Sequence, residues 1–345
     1  MYTKVVGDRV LIIGDLHFSD VYTGRHKNYL LNCFTVLADI RDTVYARKPA
    51  AVVFLGDIVG QNEGNVKSRE VLSKLCQFFT DIGKVSKVFC VRGNHDFNGS
   101  FPEFQFLNGL GLFETASSCD GYFDYFGDES QEVPEVRFHL VDYGAESRTL
   151  NISGEGTTNI VLAHNNFTIQ GLTNWYNSKG GIELSGMTNF GGVYMVISGH
   201  IHNPSPQIVQ TQMISGGACS LFYPGCPTRP TFDSGIYENC WYLEFNYSKE
   251  SNETTYDAIP FRLTSISDTF YDADEFVEER TEEEIYEMER TQALHEVLLN
   301  IVNSRMSTGD LISQVYAIPN AKEEAKRLAA SYLQMALDNK AHGVE

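Results

Sequence analysis

Five short segments of the chain carry residues that can bind a metal ion or transfer a proton. Their sequences are GDLH, GD, GNHD, AH and GHIH, and each follows an apolar run. Carboxylate, amide and imidazole ligands without thiolates favour divalent manganese, iron or zinc, whereas magnesium and calcium prefer oxygen ligands. One such residue at a strand end is most often an ordinary surface residue, but five segments together predict a site for two metal ions. They supply Asp15, His17, Asp57, Asn94, His95, Asp96, His164, His200 and His202.

The apolar runs before the first three segments are predicted to be parallel strands. Residues 10–13, 51–55 and 87–91 are rich in the β-branched and aromatic types that suit a buried strand. Residues 28–47 and 71–82, which lie between them, have the patterns of crossover helices. Three parallel strands then deliver polar residues at one edge of a sheet, where ligands bind in open α/β folds. Two more apolar strands end in His164 and His200.

Spacing and glycines both suggest that these side chains converge. Residues two apart at a strand end project to the same side, so we expect Asp15 to meet His17 and His200 to meet His202. A glycine is the first residue of four of the five segments, and we expect that a side chain at these positions would obstruct the approach of the backbone to the ions. These glycines are Gly14, Gly56, Gly93 and Gly199.

Composition limits the class of protein. No apolar run in the 345 residues approaches the roughly 20 needed to cross a bilayer, so we expect no membrane span. The charged start of the chain lacks a signal sequence, and seven cysteines without CxxC pairs indicate reduced thiols. We therefore predict a cytoplasmic protein, of a bacterium or of a phage-infected cell. The net charge of −19 opposes nucleic-acid binding unless a basic patch or a partner compensates.

The composition changes near Tyr271. Short apolar strands precede this point, and an acidic, helix-favouring sequence follows it. We predict a catalytic α/β domain at residues 1–265 and an acidic helical region at 266–345, with the boundary between 265 and 275. Two helices are predicted there, because Thr281 with Glu284 and Asn320 with Glu323 have capping-box spacing.

The ordered set of five segments, spanning residues 11–203, resembles the calcineurin-like metallophosphoesterase superfamily. The resemblance implies the four-layer αββα sandwich of that superfamily, here with a C-terminal helical extension. It also implies two divalent ions, with manganese expected and iron or zinc as alternatives. One ion would be held by Asp15, His17 and His202, the other by Asn94, His164 and His200, and Asp57 would bridge them.

Further roles are predicted for residues in and near these segments. His95 is adjacent to a ligand and is predicted to donate a proton to the leaving group, with Asp96 orienting its ring. Arg92 and Arg229 are candidate contacts to a phosphate backbone, or else ordinary surface cations.

The branch of the superfamily is suggested by a later segment. Ser/Thr phosphatases continue the second segment to an arginine that grips a phosphomonoester, whereas here Asp57 is followed by IVGQ. FYPGCPTRPTF resembles a segment of SbcD-type nucleases, although Cys226 replaces the usual serine and a frequent Phe-Asp pair is absent. Alternatively, this segment is a proline-rich surface loop.

The SbcD resemblance implies a DNA exonuclease or endonuclease subunit of recombination and repair. It further implies an SbcC-type ATPase partner, docked on the C-terminal region. A homodimer is also possible. Packing of the C-terminal helices on the catalytic domain is the alternative to docking. A cyclic-nucleotide or small-molecule phosphodiesterase, a phosphoprotein phosphatase and a weakly catalytic scaffold remain alternative functions.

Overall fold

The computed structural model describes residues 3–19, 29–60, 69–97, 102–169, 181–205, 208–228, 241–251 and 253–260. All of them belong to the first of the two units into which the chain divides, Met1–Phe276 and Val277–Glu345. The predicted boundary at 265–275, the two predicted acidic helices and Arg229 lie outside the described residues and stay predictions.

The described residues form strands and helices in a mixed order. The strands are β1 (Thr3–Val6), β2 (Arg9–Ile13), β3 (Ala51–Phe54), β4 (Lys87–Cys90), β5 (Glu114–Thr115), β6 (Tyr122–Phe126), β7 (Val136–Val141), β8 (Thr158–His164), β9 (Phe167–Thr168), β10 (Ile182–Glu183), β11 (Met195–Gly199), β12 (Val209–Gln212), β13 (Ala218–Phe222), β14 (Trp241–Ser248) and β15 (Glu253–Pro260). The helices are α1 (Tyr29–Arg47), α2 (Arg69–Gly83), α3 (Asn94–Phe97) and α4 (Pro102–Gly109), with 3-10 helices at Leu184–Gly186 and Thr188–Phe190.

The strands make two large sheets. One has the order β15-β14-β2-β3-β4-β5, and in it β2, β3 and β4 are parallel neighbours joined through α1 and α2. The other has the order β1-β6-β7-β8-β11-β13-β12, with β7, β8, β11 and β13 parallel. The predicted βαβ units are therefore confirmed, and β8 and β11 belong to the second sheet.

The two sheets pack face to face. Successive residues of a strand point to opposite faces of its sheet, so each strand contributes residues to the core between the sheets and to the outer face. In β8, Ile160 and Leu162 join the core between the sheets, together with Val10, Val53 and Phe89 from β2, β3 and β4. The opposite faces of β2, β3 and β4 pack against α1 and α2. Burial on both faces explains why these strands are almost continuously apolar.

The outer face of the second sheet is covered differently. Val161 and Ala163 of β8 pack there with Leu184 and Phe190, which belong to the two 3-10 helices. The predicted α/β sandwich is confirmed, and among the described residues 3-10 helices and loops form its fourth layer. No described helix has the length and hydropathy needed to span a bilayer.

Candidate metal centre

The five polar segments meet where the carboxyl ends of the two sheets come together. They follow β2, β3 and β4 in one sheet and end or follow β8 and β11 in the other. The amide of His17 donates to the carbonyl oxygen of Asp57 over 2.8 Å, and the amide of His200 donates to Asp15 Oδ2 over 2.9 Å. These hydrogen bonds link loops from different strands into one site.

Three site residues have left-handed backbone conformations. The φ angles are 45° at His17, 46° at Asp57 and 77° at His200. Residues with a side chain adopt such angles rarely, and they are concentrated at functional sites. Because β2 ends at Ile13, Asp15 and His17 converge through the turn at His17. The prediction that they meet holds, but strand alternation was the wrong reason.

Two glycines permit the close approach of these loops. Gly56 has a φ of +100°, and a Cβ there would lie 2.6 Å from His164 Nδ1 and 2.8 Å from the amide nitrogen of Gly93. A Cβ on Gly93 would collide with Asp57 Oδ1. At these two positions the predicted need for glycine is confirmed.

Asp15, His17 and His202 form the first group of potential ligands. His17 Nε2 lies 3.9 Å from Asp15 Oδ2, and His202 Nε2 lies 4.0 Å from the same oxygen. The ring centroids of His17 and His202 are 4.6 Å apart. One ligand atom from each residue lies within 4.8 Å of the others, a separation that suits one metal ion.

Asn94, His164 and His200 form the second group. Asn94 Oδ1 lies 3.0 Å from His164 Nε2 and 2.9 Å from His200 Nδ1. The Nδ1–H of His164 donates to the carbonyl oxygen of Leu55 over 2.6 Å, which turns Nε2 toward the site. His200 and His202, two residues apart, therefore contact different groups: His200 lies beside Asn94, and His202 beside Asp15 and His17.

Asp57 lies between the two groups. Its Oδ2 is 3.5 Å from His17 Nε2 and 3.2 Å from His164 Nε2, and its Oδ1 accepts the amide of His95 over 2.9 Å. Burial alone would raise the pKa of Asp57, but His164, His17 and His95 outweigh burial and hold that pKa well below its usual value. A buried carboxylate that stays ionised between two ligand groups has the position of a bridging ligand.

The protonation behaviour of the site suits metal ions. Burial lowers the pKa of His200 and of His202 to about 4, so both imidazoles are neutral, as ligands must be. The buried Asp15 Oδ1 and both ring nitrogens of His17 have no hydrogen-bond partner in the described part of the chain. Buried polar atoms without partners are costly, and a bound ion would satisfy Asp15 Oδ1 and one of the two ring nitrogens of His17. The residues present therefore fit two divalent cations.

His164 is the exception among the imidazoles. Burial disfavours its charged form, but Asp57 and Asp15 outweigh burial and raise its pKa to about 9. Its Nε2 must lose a proton to bind a metal, so metal binding is expected to release a proton.

His95 and Asp96 occupy different environments beside these groups. The His95 side chain is 21% exposed, and its Nε2 lies 3.9 Å from Asp57 Oδ2. Asp96 is buried, and its carboxylate accepts the amides of Ile58 and Gly93 over 3.2 and 3.0 Å. These hydrogen bonds join the loops after β3 and β4. Orientation of the His95 ring by Asp96 stays a prediction.

The family is decided by the match of its sequence model. The model of the calcineurin-like phosphoesterases matches residues 8–204, more than half of the chain. The chain belongs to the calcineurin-like phosphoesterase family. All the predicted metal ligands lie within the matched residues, and the arrangement of two ligand groups around a shared carboxylate is that of a metal-dependent phosphoesterase.

Solved structures include distant likenesses of this phosphoesterase. A dimetal phosphatase from Danio rerio is 13% identical over 74% of this chain and 96% of that chain, with a TM-score of 0.44. The protein TT1561 of Thermus thermophilus is 8% identical over 73% of this chain and 99% of that chain, with a TM-score of 0.40. No curated protein sequence matches the chain significantly.

Arg92, the first predicted phosphate contact, directly precedes Gly93 in this phosphoesterase. Its amide donates to Asp142 Oδ1 over 2.9 Å, and its guanidinium carbon lies 5.7 Å from the centroid of the Phe104 ring on α4. The side chain therefore lies beside α4, and contact with substrate stays a prediction, as it does for Arg229.

The segment around Cys226 lies directly behind the site. Tyr223, Cys226 and Thr228 are fully buried, so for residues 223–228 the interpretation as a surface loop is wrong. The amide of Cys226 donates to the carbonyl oxygen of His202 over 3.0 Å, and the Thr228 hydroxyl donates to that of Leu16 over 2.5 Å. The segment thus supports two of the ligand loops.

Sequence reasoning missed two tyrosines that lie next to the ligands. Tyr29, the first residue of α1, donates its hydroxyl to the carbonyl oxygen of His17 over 2.7 Å. Tyr143 follows β7, and its ring centroid lies 5.8 Å from that of His200. A tyrosine at the start of a helix has no local signal for such a role. Asp142 and Tyr143 directly follow the apolar strand β7, so they could have been grouped with the polar residues that follow the other strands.

Proposed function

We propose that this phosphoesterase is an SbcD-like nuclease, a phosphodiesterase that acts on DNA with two divalent metal ions. The supporting observation is the position of the SbcD-like segment. The amide of Cys226 donates a hydrogen bond to the loop of His202, and the hydroxyl of Thr228 donates one to the loop of Leu16. The part of the chain that most resembles these nucleases is therefore part of the site itself.

The residues after Asp57 support a diester substrate. Ser/Thr phosphatases continue this segment as GDxVDRG, and Gln61 stands where their pattern has the arginine that grips the phosphomonoester. A diester has one negative charge fewer than a monoester, so it needs less compensation from cationic side chains. Asn94 contributes a neutral ligand, which leaves the loaded site more positive toward phosphate.

The chain's own groups have distinct tasks in the proposed reaction. The two groups of ligands hold the ions, with Asp57 between them. When bound, the ions supply Lewis acidity at the phosphate and lower the pKa of the attacking water. His95 has a partly exposed ring beside the buried ligands, and it protonates the leaving oxygen.

The acidic chain is proposed to handle DNA together with an SbcC-type ATPase that supplies the basic surface. The net charge of −19 makes the whole molecule repel polyanions at long range. Residues 271–345 are proposed to dock on this partner. Deletion of 271–345 should spare hydrolysis of bis(p-nitrophenyl) phosphate and abolish complex formation. If the truncated chain hydrolyses this diester and still co-purifies stoichiometrically with the ATPase, the docking proposal is wrong.

The substrate is tested by comparing four substrates in the presence of Mn²⁺. Linear duplex DNA, circular single-stranded DNA, a cyclic nucleotide and a phosphoserine peptide are incubated with the wild type and with His95→Asn as a control. We expect metal-dependent cleavage of DNA by the wild type and little cleavage by His95→Asn. Turnover of the cyclic nucleotide or the peptide without cleavage of DNA would contradict the proposal. Absence of all turnover, with metal bound, would point to a scaffold.

A further inference from the structure

Tyr143 is an exposed aromatic residue beside the second group of ligands, and the predicted reaction does not use it. Its side chain belongs to the exposed large hydrophobic groups, with 39% of the residue surface accessible. The ring centroid lies 5.8 Å from that of His200 and 6.3 Å from that of His164. Tyr143 therefore borders the half of the site that Asn94, His164 and His200 form.

The backbone of Tyr143 is held by hydrogen bonds to the loop that follows β4. Its amide donates to the carbonyl oxygen of Arg92 over 2.8 Å, and the amide of Arg92 donates to Asp142 Oδ1 over 2.9 Å. The amide of Ala145 donates to the carbonyl oxygen of Asp142 over 3.0 Å and closes the turn. An exposed ring on a backbone held in this way is preorganised for binding.

The Tyr143 ring differs from other exposed tyrosines of the described residues. Tyr45 donates its hydroxyl to the carbonyl oxygen of Asp81 on α2. Tyr194 precedes β11, at the opposite end of the strand from His200, and is therefore far from the ligand end of β11. In the described part of the chain, the Tyr143 hydroxyl makes no hydrogen bond, and its ring borders the ligands.

We propose that Tyr143 is a stacking platform for a nucleobase next to the phosphate that is cleaved. This inference rests on the proposed phosphodiesterase function and defines its substrate class as base-bearing nucleotides. Aromatic rings bind bases of single-stranded nucleic acid through their faces, with little preference for sequence. The Tyr143 ring centroid lies 5.8 Å from that of His200, close enough for the base of a nucleotide whose phosphate binds beside His200 to reach the ring.

The negative charge of the chain increases the importance of an uncharged contact for binding affinity. A surface with a net charge of −19 gives little long-range attraction for a polyanion, so binding must depend on local contacts. Stacking does not depend on the charge of the protein. An aromatic platform therefore provides affinity that the acidic surface does not.

The test compares two single-stranded oligonucleotides of equal length and charge, with the full chain loaded with Mn²⁺. One is oligothymidylate, and the other has an abasic sugar at every position. We expect the wild type to have the higher kcat/KM on oligothymidylate. Tyr143→Leu should lower this kcat/KM about 5- to 150-fold, mainly through KM, and leave the rate on the abasic strand unchanged. The abasic rate also reports that the variant is folded.

Two controls isolate the ring of Tyr143. Tyr143→Phe keeps the aromatic face and should keep the preference for bases, which separates stacking from a hydrogen bond of the hydroxyl. Tyr194→Leu removes a similarly exposed tyrosine, 45% accessible, from the other end of β11 and should change neither rate.

The outcomes separate the platform from the proposed function. Equal losses by Tyr143→Leu on both oligonucleotides would mean that Tyr143 only supports His200, and the platform would be refuted. If the wild type hydrolyses bis(p-nitrophenyl) phosphate but cleaves neither oligonucleotide, the DNA substrate and the platform are both wrong.

Discussion

Replacement of Asp15 by asparagine is expected to stabilise the metal-free protein at pH 8 and to weaken metal binding. Asp15 is 1% exposed, and its Oδ1 has no hydrogen-bond partner in the described residues. Burial raises the pKa of this carboxyl group from 3.8 to about 7, although His164 opposes the rise. Asparagine removes the charge and keeps an oxygen that can accept the amide of His200.

The magnitude follows from the two pKa values. At 1.36 kcal/mol per pH unit, the interval from 3.8 to about 7 corresponds to about 4 kcal/mol. Between these values the folded chain holds the Asp15 proton and the unfolded chain has lost it. The free energy of unfolding therefore falls as pH rises through this window and stays lowered above it. We expect Asp15→Asn to gain up to about 4 kcal/mol at pH 8 and about half of that or less at pH 5.

The assay is urea unfolding in EDTA at both pH values, with Asp124→Asn as a control. Asp124 is also buried, but its two oxygens accept hydrogen bonds from Arg137 over 2.7 and 2.8 Å, so its replacement should destabilise at both pH values. Addition of Mn²⁺ should then stabilise the wild type more than Asp15→Asn. A metal-free Asp15→Asn protein that is less stable than the wild type at pH 8 would refute the reasoning.

Three further predictions concern residues around the ligands. His95→Asn should retain both metals and lose about 10²- to 10⁴-fold in kcat, whereas Asp57→Ala should lose metal, as measured by metal content and hydrolysis rate. Gly93→Ala should prevent metal binding because its Cβ would displace Asp57, whereas Gly109→Ala, with open space around its Cβ, should bind metal normally in a calorimetric titration. Tyr29→Phe should lower the free energy of unfolding by about 1–3 kcal/mol and weaken metal affinity, since the buried carbonyl of His17 loses its donor.

Local patterns were sufficient to predict the elements that carry the site. Residues 28–47 were predicted as a crossover helix and form α1 at Tyr29–Arg47. Residues 87–91 were predicted as a strand and form β4 at Lys87–Cys90. In these segments, the spacing of apolar residues shows which face of the strand or helix is buried. That spacing can be read from the segment itself.

Features that depend on distant contacts could not be predicted in the same way. The left-handed turn at His17 is held by Tyr29 and by the loop of Asp57, and no pattern around His17 indicates it. Burial of Thr228 depends on Leu16, which is 212 residues away in the chain. The proline-rich composition around Thr228 suggested a surface loop, and the tertiary contact with Leu16 overrides it.

The most direct test of the proposed two-metal phosphodiesterase activity is the rate of bis(p-nitrophenyl) phosphate hydrolysis as a function of Mn²⁺ concentration. The metal-free protein should be inactive, and the rate should rise with the second power of the Mn²⁺ concentration at low occupancy, because both ions are needed. A rate that is independent of metal, or no hydrolysis at saturating Mn²⁺, Fe²⁺ or Zn²⁺, would contradict the account.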